Sequence, residues 1–405
     1  MQHAAPFSAP EKRLKLPEFV AMLAFLFATV AFSIDAMLPA LPEYARLMTP
    51  DAPNRAQLIL TSFVAGMGIG TLFAGPISDA IGRKPAITIG IMIYVLAAIA
   101  AIFAQSLEAL LIARFVQGLG VAGPRIVGLA LVRDLYAGRE MARITSLVMM
   151  IFILVPAMAP LLGAIIIDLA GAQGVFGAFV VFGMIGLIWV NLRQAETLPP
   201  ERRRPARIAP MLEATRELIA DRQVVLSTIV MTLGFGQMFA LLSAAQQLFG
   251  VTYGRGEEFP LWFAAMALLS GSGTVLNAVY VVRFGMRRIA RWAYAMQIVV
   301  SGVALLLMAS GALPPRAEFA LFFFWATSVF FMAGVTFGNL NALALQNMGH
   351  IAGIAASVIA AASTIGAVAI AAPVGLMFDG TALPIVGATL FCSALAWWLM
   401  RGLID

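Results

Sequence analysis

Apolar runs of about 20 residues recur along the chain, broken by short polar stretches, and each is long enough to cross a hydrocarbon core ~30 Å thick. The runs cover 18–41, 56–78, 85–105, 108–133, 141–167, 174–193, 223–250, 258–282, 288–311, 317–343, 352–377 and 381–402. Backbone amides in lipid must be satisfied within their own segment, and the two-residue alternation of a barrel strand is absent, so the runs predict helices. The pattern therefore predicts an all-α membrane protein with twelve transmembrane helices in two six-helix halves. The expected layout is an N-terminal segment 1–17, a first half 18–195, a linker 196–221 and a second half 222–405.

Composition agrees. The 405 residues are 61% hydrophobic and 11% charged, well below the roughly 25% charge with which a soluble domain covers its surface. The formal net charge of +6 does not point to nucleic acid, because the basic residues flank the apolar runs. Twenty of them fall on one side: Lys12, Arg13, Lys15, Arg83, Lys84, Arg133, Arg139, Arg143, Arg193, Arg202–Arg204, Arg207, Arg216, Arg222, Arg283, Arg287, Arg288, Arg291 and Arg401. The opposite loops hold four, Arg46, Arg55, Arg255 and Arg316. The richer side is expected to be cytoplasmic, with both termini inside. The N-terminus lacks the small-residue cleavage site of a signal peptide. One cysteine, Cys392, and two histidines leave no disulfide, zinc site or redox pair, so no metal and no cofactor are expected.

The linker carries Pro199, Pro200, Pro205 and Pro210 among arginines, then an amphipathic stretch at 211–220. The turn after the second run, Asp79-Ala80-Ile81-Gly82-Arg83-Lys84, is echoed after the eighth by Arg283-Phe284-Gly285-Met286-Arg287-Arg288. A duplicated six-helix unit is a known transporter architecture.

The residues with chemistry are few. Asp35 stands inside the first run, where a carboxylate is costly and usually functional. It reads as a proton carrier; a water-facing cap on an early helix end is the plainer alternative, since Pro39 and Pro42 follow. Arg114, in the fourth run, is placed by residue counting at a similar depth, ~9 Å below the surface. The two are expected to pair, and their separation would couple protonation to movement; a static pair joining two helices is the alternative. Arg125 lies three turns beyond Arg114 on roughly the same face and either lines a cavity or reaches back to the surface. Gly75, Asp79, Gly82, Arg83 and Lys84 form a tight, charged turn suited to gating one mouth. Pro156, Pro160 and Gly163 mark a hinge or a close-packed kink in the fifth run. Gly118-x-Gly120-x-x-Gly123 has the spacing of a dinucleotide loop, but it lies within a membrane helix and fits close helix packing instead. No nucleotide-binding or hydrolase motif is visible, and an intramembrane enzyme or sensor finds no constellation to support it.

Taken together, these residues resemble the major facilitator superfamily and, within it, the bicyclomycin/chloramphenicol-resistance exporters. The segment 75–85 is similar to the superfamily loop between helices two and three. Arg114-Phe115-Val116-Gln117-Gly118-Leu119-Gly120 resembles the fourth-helix motif, whose arginine is implicated in proton coupling. Ala159-Pro160-Leu161-Leu162-Gly163-Ala164 resembles the antiporter motif, with Ala164 in place of its final glycine. Asp35-Ala36-Met37-Leu38-Pro39 resembles the exporters' first-helix signature, with Met37 where an aromatic is usual. Val132-Arg133-Asp134-Leu135-Tyr136 resembles their fourth-helix ending, and Asn339, Asn341, Ala342, Gly349, Ala352, Gly353 and Ser357 their tenth-to-eleventh connection. The resemblance implies a monomeric, proton-driven exporter of small, largely apolar compounds in a bacterial inner membrane. Its partners would be a small-molecule substrate, protons and lipid. Met37, Gln117 and Arg125 of the first half are the expected cavity residues, joined from the second, on their mid-span positions, by Phe235, Gln237, Asn277 and Tyr280, for each of which packing is the alternative role. A dedicated carrier for one polar or anionic metabolite, gripped by Arg114 and Arg125, is the alternative.

Overall fold

The computed structural model describes residues 14–205 and 208–403. Lys12, Arg13 and Arg207 of the charge pattern, and most of the 1–17 segment, lie outside the described residues. The first half contains α1 (Leu16–Asp35), a short α2 (Leu41–Met48), α3 (Leu58–Ile81), α4 (Arg83–Ile102), α5 (Leu107–Leu135) and α6 (Gly138–Arg193). A linker helix, α7 (Ile208–Ala220), leads to α8 (Arg222–Gln247), α9 (Phe259–Phe284), α10 (Met286–Ala309), α11 (Pro315–Leu345), α12 (Ala352–Leu376) and α13 (Leu383–Leu399).

As one rod, the 56 residues of α6 would run for ~84 Å, far more than a single crossing needs. Gly171, with φ 68° and ψ 179°, breaks it into two crossings, which brings the total to twelve. The break falls in the polar gap between the fifth and sixth apolar runs. Pro156 and Pro160 lie inside the first of these crossings, and the helix is unbroken there.

The boundaries have local causes. Ser106 caps α5 by accepting the Ala109 amide at 3.2 Å, and Asp221 caps α8 through the amides of Gln223 (2.7 Å) and Val224 (3.1 Å). Each of these satisfies donors that a helix start leaves open. The turns α3–α4 and α9–α10 both pivot on a positive-φ glycine, Gly82 (φ 108°) and Gly285 (φ 83°). This is the internal echo seen in the sequence, now as matching backbone geometry. These turns mark the arginine-rich end of the bundle.

One expected boundary is wrong. The first apolar run continues to residue 41, but α1 stops at Asp35. Pro39 has no amide to give to the Asp35 carbonyl, and its ring would crowd that oxygen. The chain turns through Leu38–Ala40 into α2 instead. Asp35 is therefore the last residue of its helix, not a residue about six places short of its end.

Within the first half, α5 packs closely on α3 and α4. A Cβ on Gly118 would overlap the Phe63 carbonyl, and one on Gly120 would sit 2.6 Å from the Gly90 carbonyl. The dinucleotide-like spacing is thus a helix-packing face. Gly118→Ala is expected to cost about 2 kcal/mol through forced backbone separation, whereas Gly302→Ala, with open space around it, should not destabilise. Thermal unfolding of the purified protein would show the difference.

The halves meet along two seams, α3 with α12 and α6 with α9. These pairs exchange when one half is superposed on the other in chain order. The buried side chains of α9 all lie between Phe259 and Gly273; the remaining stretch, 274–284, contributes none.

Candidate functional site

Among the described residues, the buried charged side chains are Asp35, Arg83 and Arg114, all in the first half. The second half fills its interior with neutral groups. There the Trp325 indole donates to Ser301 Oγ at 3.0 Å, and Ser328 Oγ donates to Gln297 Oε1 at 3.1 Å.

Arg114 is fully buried, and each of its nitrogens has its own acceptor. Nη2 donates to the Ser33 carbonyl (2.9 Å), Nε to the Ile59 carbonyl (3.3 Å) and Nη1 to Gln117 Oε1 (2.7 Å). The guanidinium carbon lies 4.4 Å from the centroid of the Phe63 ring and 5.7 Å from that of Phe179. The expected ion pair with Asp35 is absent. The physical reason lies in the early end of α1. The carbonyls of its last turn have no intrahelical partner, and the helix end is the negative pole of its dipole. Arg114 serves that end by holding Ser33, two residues before the acid. Ser33 is fixed further by its hydroxyl, 2.7 Å from the Tyr94 hydroxyl and 2.6 Å from the Thr29 carbonyl.

Asp35 is 5% exposed and makes no hydrogen bond or ion pair among the described residues. Gly163 packs against the backbone of the next residue: a Cβ there would overlap the Ala36 carbonyl. The 159–164 segment of α6 therefore meets the chain just after the end of α1, at the residue following the acid.

Arg125 is exposed although protein surrounds it, so it faces a recess in the bundle. It stands ten residues before the end of α5, ~15 Å from the arginine-rich end, and has no partner among the described residues. Half-buried Phe235 lies tilted against Phe337 with centroids 4.0 Å apart. The other expected cavity residues divide. Met37 is completely buried, Gln117 is taken by Arg114, and Gln237 is buried and accepts from Ser393 at 2.9 Å. None of these three faces open space in this conformation. Asn277 accepts from Asn339 Nδ2 at 2.7 Å and ties α9 to α11. Tyr280 is exposed and rests near Phe284.

The 75–85 turn is the centre of a larger network than its own residues suggest. Arg83 binds Asp79, Ser78 Oγ (2.8 Å) and Asp134 Oδ2 (2.9 Å). The Glu196 carboxylate accepts the amides of Arg83 (2.9 Å), Lys84 (3.1 Å), Thr197 (2.9 Å) and Leu198 (2.9 Å). Thr197 Oγ1 also donates to Asp134 Oδ2 at 2.9 Å. Lys84 turns outward to the Asn191 carbonyl at 2.8 Å. Gly75 lies at the α3–α12 crossing, where a Cβ would sit 3.9 Å from Ser357 Oγ. Sequence reasoning found Asp79 and Arg83 but gave no role to Ser78, Asp134, Glu196 or Thr197. Asp134 stood within a recognised run, whereas Glu196 carried no signal of its own.

A second network was also missed. At the opposite end, Asn54 Nδ2 donates to the carbonyls of Leu376 (3.2 Å) and Phe378 (2.6 Å). Gln57 donates to Gln247 and accepts from Ser243 Oγ at 3.3 Å. This uncharged clasp joins the start of α3 to the ends of α8 and α12, and so joins the two halves. With each hydrogen bond worth about 1 kcal/mol, Gln57→Ala/Gln247→Ala should shift the balance of conformations about ten-fold or more. A cysteine at buried Ala240, in a Cys392→Ser background, should then react correspondingly faster with an impermeant maleimide added from that end. An unchanged labelling rate would count against the clasp.

Twelve membrane-crossing helices, two matching halves and charges buried inside the first of them define the class of a polytopic membrane carrier. Residues 21–372 match the Major Facilitator Superfamily, and the chain belongs to it. Its relatives include an uncharacterized MFS-type transporter, YdgK, of Bacillus subtilis (strain 168), 29% identical over 95% of this chain and 94% of that one. Another is the bicyclomycin resistance protein homolog of Haemophilus influenzae, 29% identical over 94% of this chain and 96% of that one. Among solved structures, a D-xylose-proton symporter superposes with a TM-score of 0.75 at 14% identity, covering 96% of this chain and 98% of that one. That likeness establishes the fold.

Proposed function

We propose that this protein is a proton-coupled exporter of small amphipathic drugs or metabolites, working by alternating access between its two halves. The observation that carries the reading is the unpartnered, buried carboxyl of Asp35, at the Arg114-bound end of α1 and next to the residue on which Gly163 of α6 packs. In the conformation described, with the clasp at Asn54, Gln57 and Gln247 closed, no cation compensates a charge on Asp35, and this is the proton-loaded form. Opening that clasp wets the end of α1 and loads the acid from that side as substrate leaves, while Arg83, Asp79, Asp134 and Glu196 secure the other mouth; closing the clasp and parting that network then releases the proton at the arginine-rich side. Relatives named for resistance to bicyclomycin and chloramphenicol support the substrate class.

The arginine-rich end is the cytoplasmic one, on the count of twenty basic residues against four. Both termini are then cytoplasmic, in a bacterial inner membrane, with the 196–221 linker on the same side. The unit of function is a monomer, and the recess that Arg125 faces receives the substrate.

A second reading has one observation in its favour. Arg125 is a permanent, unpaired cation on the wall of that recess, as a carrier for a single anionic metabolite would need. Inside-out vesicles with an acidic interior, offered cationic, neutral and anionic compounds, decide between them. Accumulation of several unrelated amphipathic compounds, abolished by an uncoupler, is the expected result. Accumulation of one anion only, lost in Arg125→Gln, would replace the exporter with the dedicated carrier.

A further inference from the structure

The basic residues at the arginine-rich end are unevenly employed. In the first half Arg83 is tied to Asp79 and Asp134, and Arg193 to Glu18, while exposed Arg133, Arg139 and Arg143 stand apart from one another in sequence without an ion pair among the described residues. At the matching turn of the second half, Arg287, Arg288 and Arg291 occupy the first turns of α10 and Arg401 follows α13. None of the four forms an ion pair with a carboxylate among the described residues. Arg287 reaches only the carbonyls of Met400 and Arg401, each at 3.3 Å. Arg291 and Arg401 lie on the Trp397 ring, 5.0 and 4.6 Å from its centroid.

Arg287, Arg288, Arg291, Trp292 and Trp397 line a half-open cleft of about 400 Å³. Gly285, which starts α10, offers no side-chain cap, so the first amides of that helix add to the positive field. Arginine forks match phosphate oxygens, and tryptophan settles at the boundary between hydrocarbon and headgroups. Trp292 and the neighbouring Trp398 are 53% and 58% exposed. The walls are thus cationic towards the surface and aromatic towards the lipid, the arrangement in which basic pockets between membrane helices take lipid headgroups.

We propose that this cleft binds the phosphodiester headgroup of an anionic phospholipid in the leaflet at the arginine-rich end, with its acyl chains passing over Trp292. The proposal is independent of what the protein transports. It explains why three guanidinium groups within two turns remain without a counter-charge in a half that buries none.

The test uses the purified full-length protein in a neutral detergent, titrated separately with phosphatidylglycerol, phosphatidylcholine and inorganic phosphate. Lipid adducts are read by native mass spectrometry, with thermal unfolding in parallel. Wild type should retain phosphatidylglycerol and gain stability from it, and phosphatidylcholine should do neither. Arg288→Gln/Arg291→Gln should bind phosphatidylglycerol about ten-fold more weakly, while Arg139→Gln, at the same end but outside the cleft, should bind as wild type does. Arg288→Gln alone leaves the Trp397 contacts in place and should show a partial loss, so the proposal stays testable if the double variant folds poorly. Equal phosphatidylglycerol binding by wild type and Arg288→Gln would overturn it. So would equal binding of phosphatidylcholine, and so would displacement of the lipid by millimolar inorganic phosphate, which would mark the cleft as a site for the free anion.

Discussion

Arg114→Lys is expected to stop transport and to destabilise the protein together. The three acceptors around Arg114 lie in three directions and are met by three different nitrogens. A lysine has a single nitrogen on a flexible stem and cannot reproduce a rigid fork. At least one main-chain carbonyl would be left buried without a donor, at about 1–3 kcal/mol, and the contact with the Phe63 face would weaken. A total loss of about 3 kcal/mol is expected, with transport reduced about 100-fold or more because the end of α1 is no longer held. Thermal unfolding and vesicle transport of the same preparation check both parts. A variant that melts like wild type would show that the three bonds do not organise the site.

Asp35→Asn separates coupling from structure. The amide is nearly isosteric and neutral, and Asp35 has no ion pair to lose, so melting should stay close to wild type. If Asp35 carries the coupled proton as proposed, gradient-driven accumulation should fall about 100-fold, and the rate should lose its dependence on pH. Downhill exchange of substrate should persist. Undiminished accumulation against a gradient would remove Asp35 from the coupling mechanism and, with it, the main support for the proposed function.

Much of the fold can be read from the sequence, because crossing a bilayer imposes length and hydropathy on each helix separately. The predicted ends generally fall within about three residues of the helices found, and even the break at Gly171 falls in a visible polar gap. The first helix is the exception that instructs. Its apolar run reaches residue 41, but Pro39 acts on backbone hydrogen bonding, which hydropathy does not register. Residue counting brought Arg114 to the correct neighbourhood of α1. It could not tell a side-chain acceptor from a carbonyl two residues away, because that choice depends on where the helix ends. The pair Arg83 and Asp79 was legible as a local i, i+4 contact. Asp134 and Glu196 reach the same arginine's side chain and backbone from far along the chain, and Gln57 meets Gln247 across 190 residues. Contacts of that kind are made by folding and leave no periodic trace.

The lopsided packing of α9 has a mechanical corollary. A rod packed over its first fifteen residues, with no buried side chain over its last eleven and the Asn277–Asn339 hydrogen bond as its tie there, yields more readily towards its tip: a small tilt at the packed part becomes a larger excursion at the end. Deuterium uptake by its amides should accordingly climb from Gly273 towards Phe284. The second half would then widen its mouth by swinging this arm, breaking the Asn277–Asn339 bond without unpacking its core.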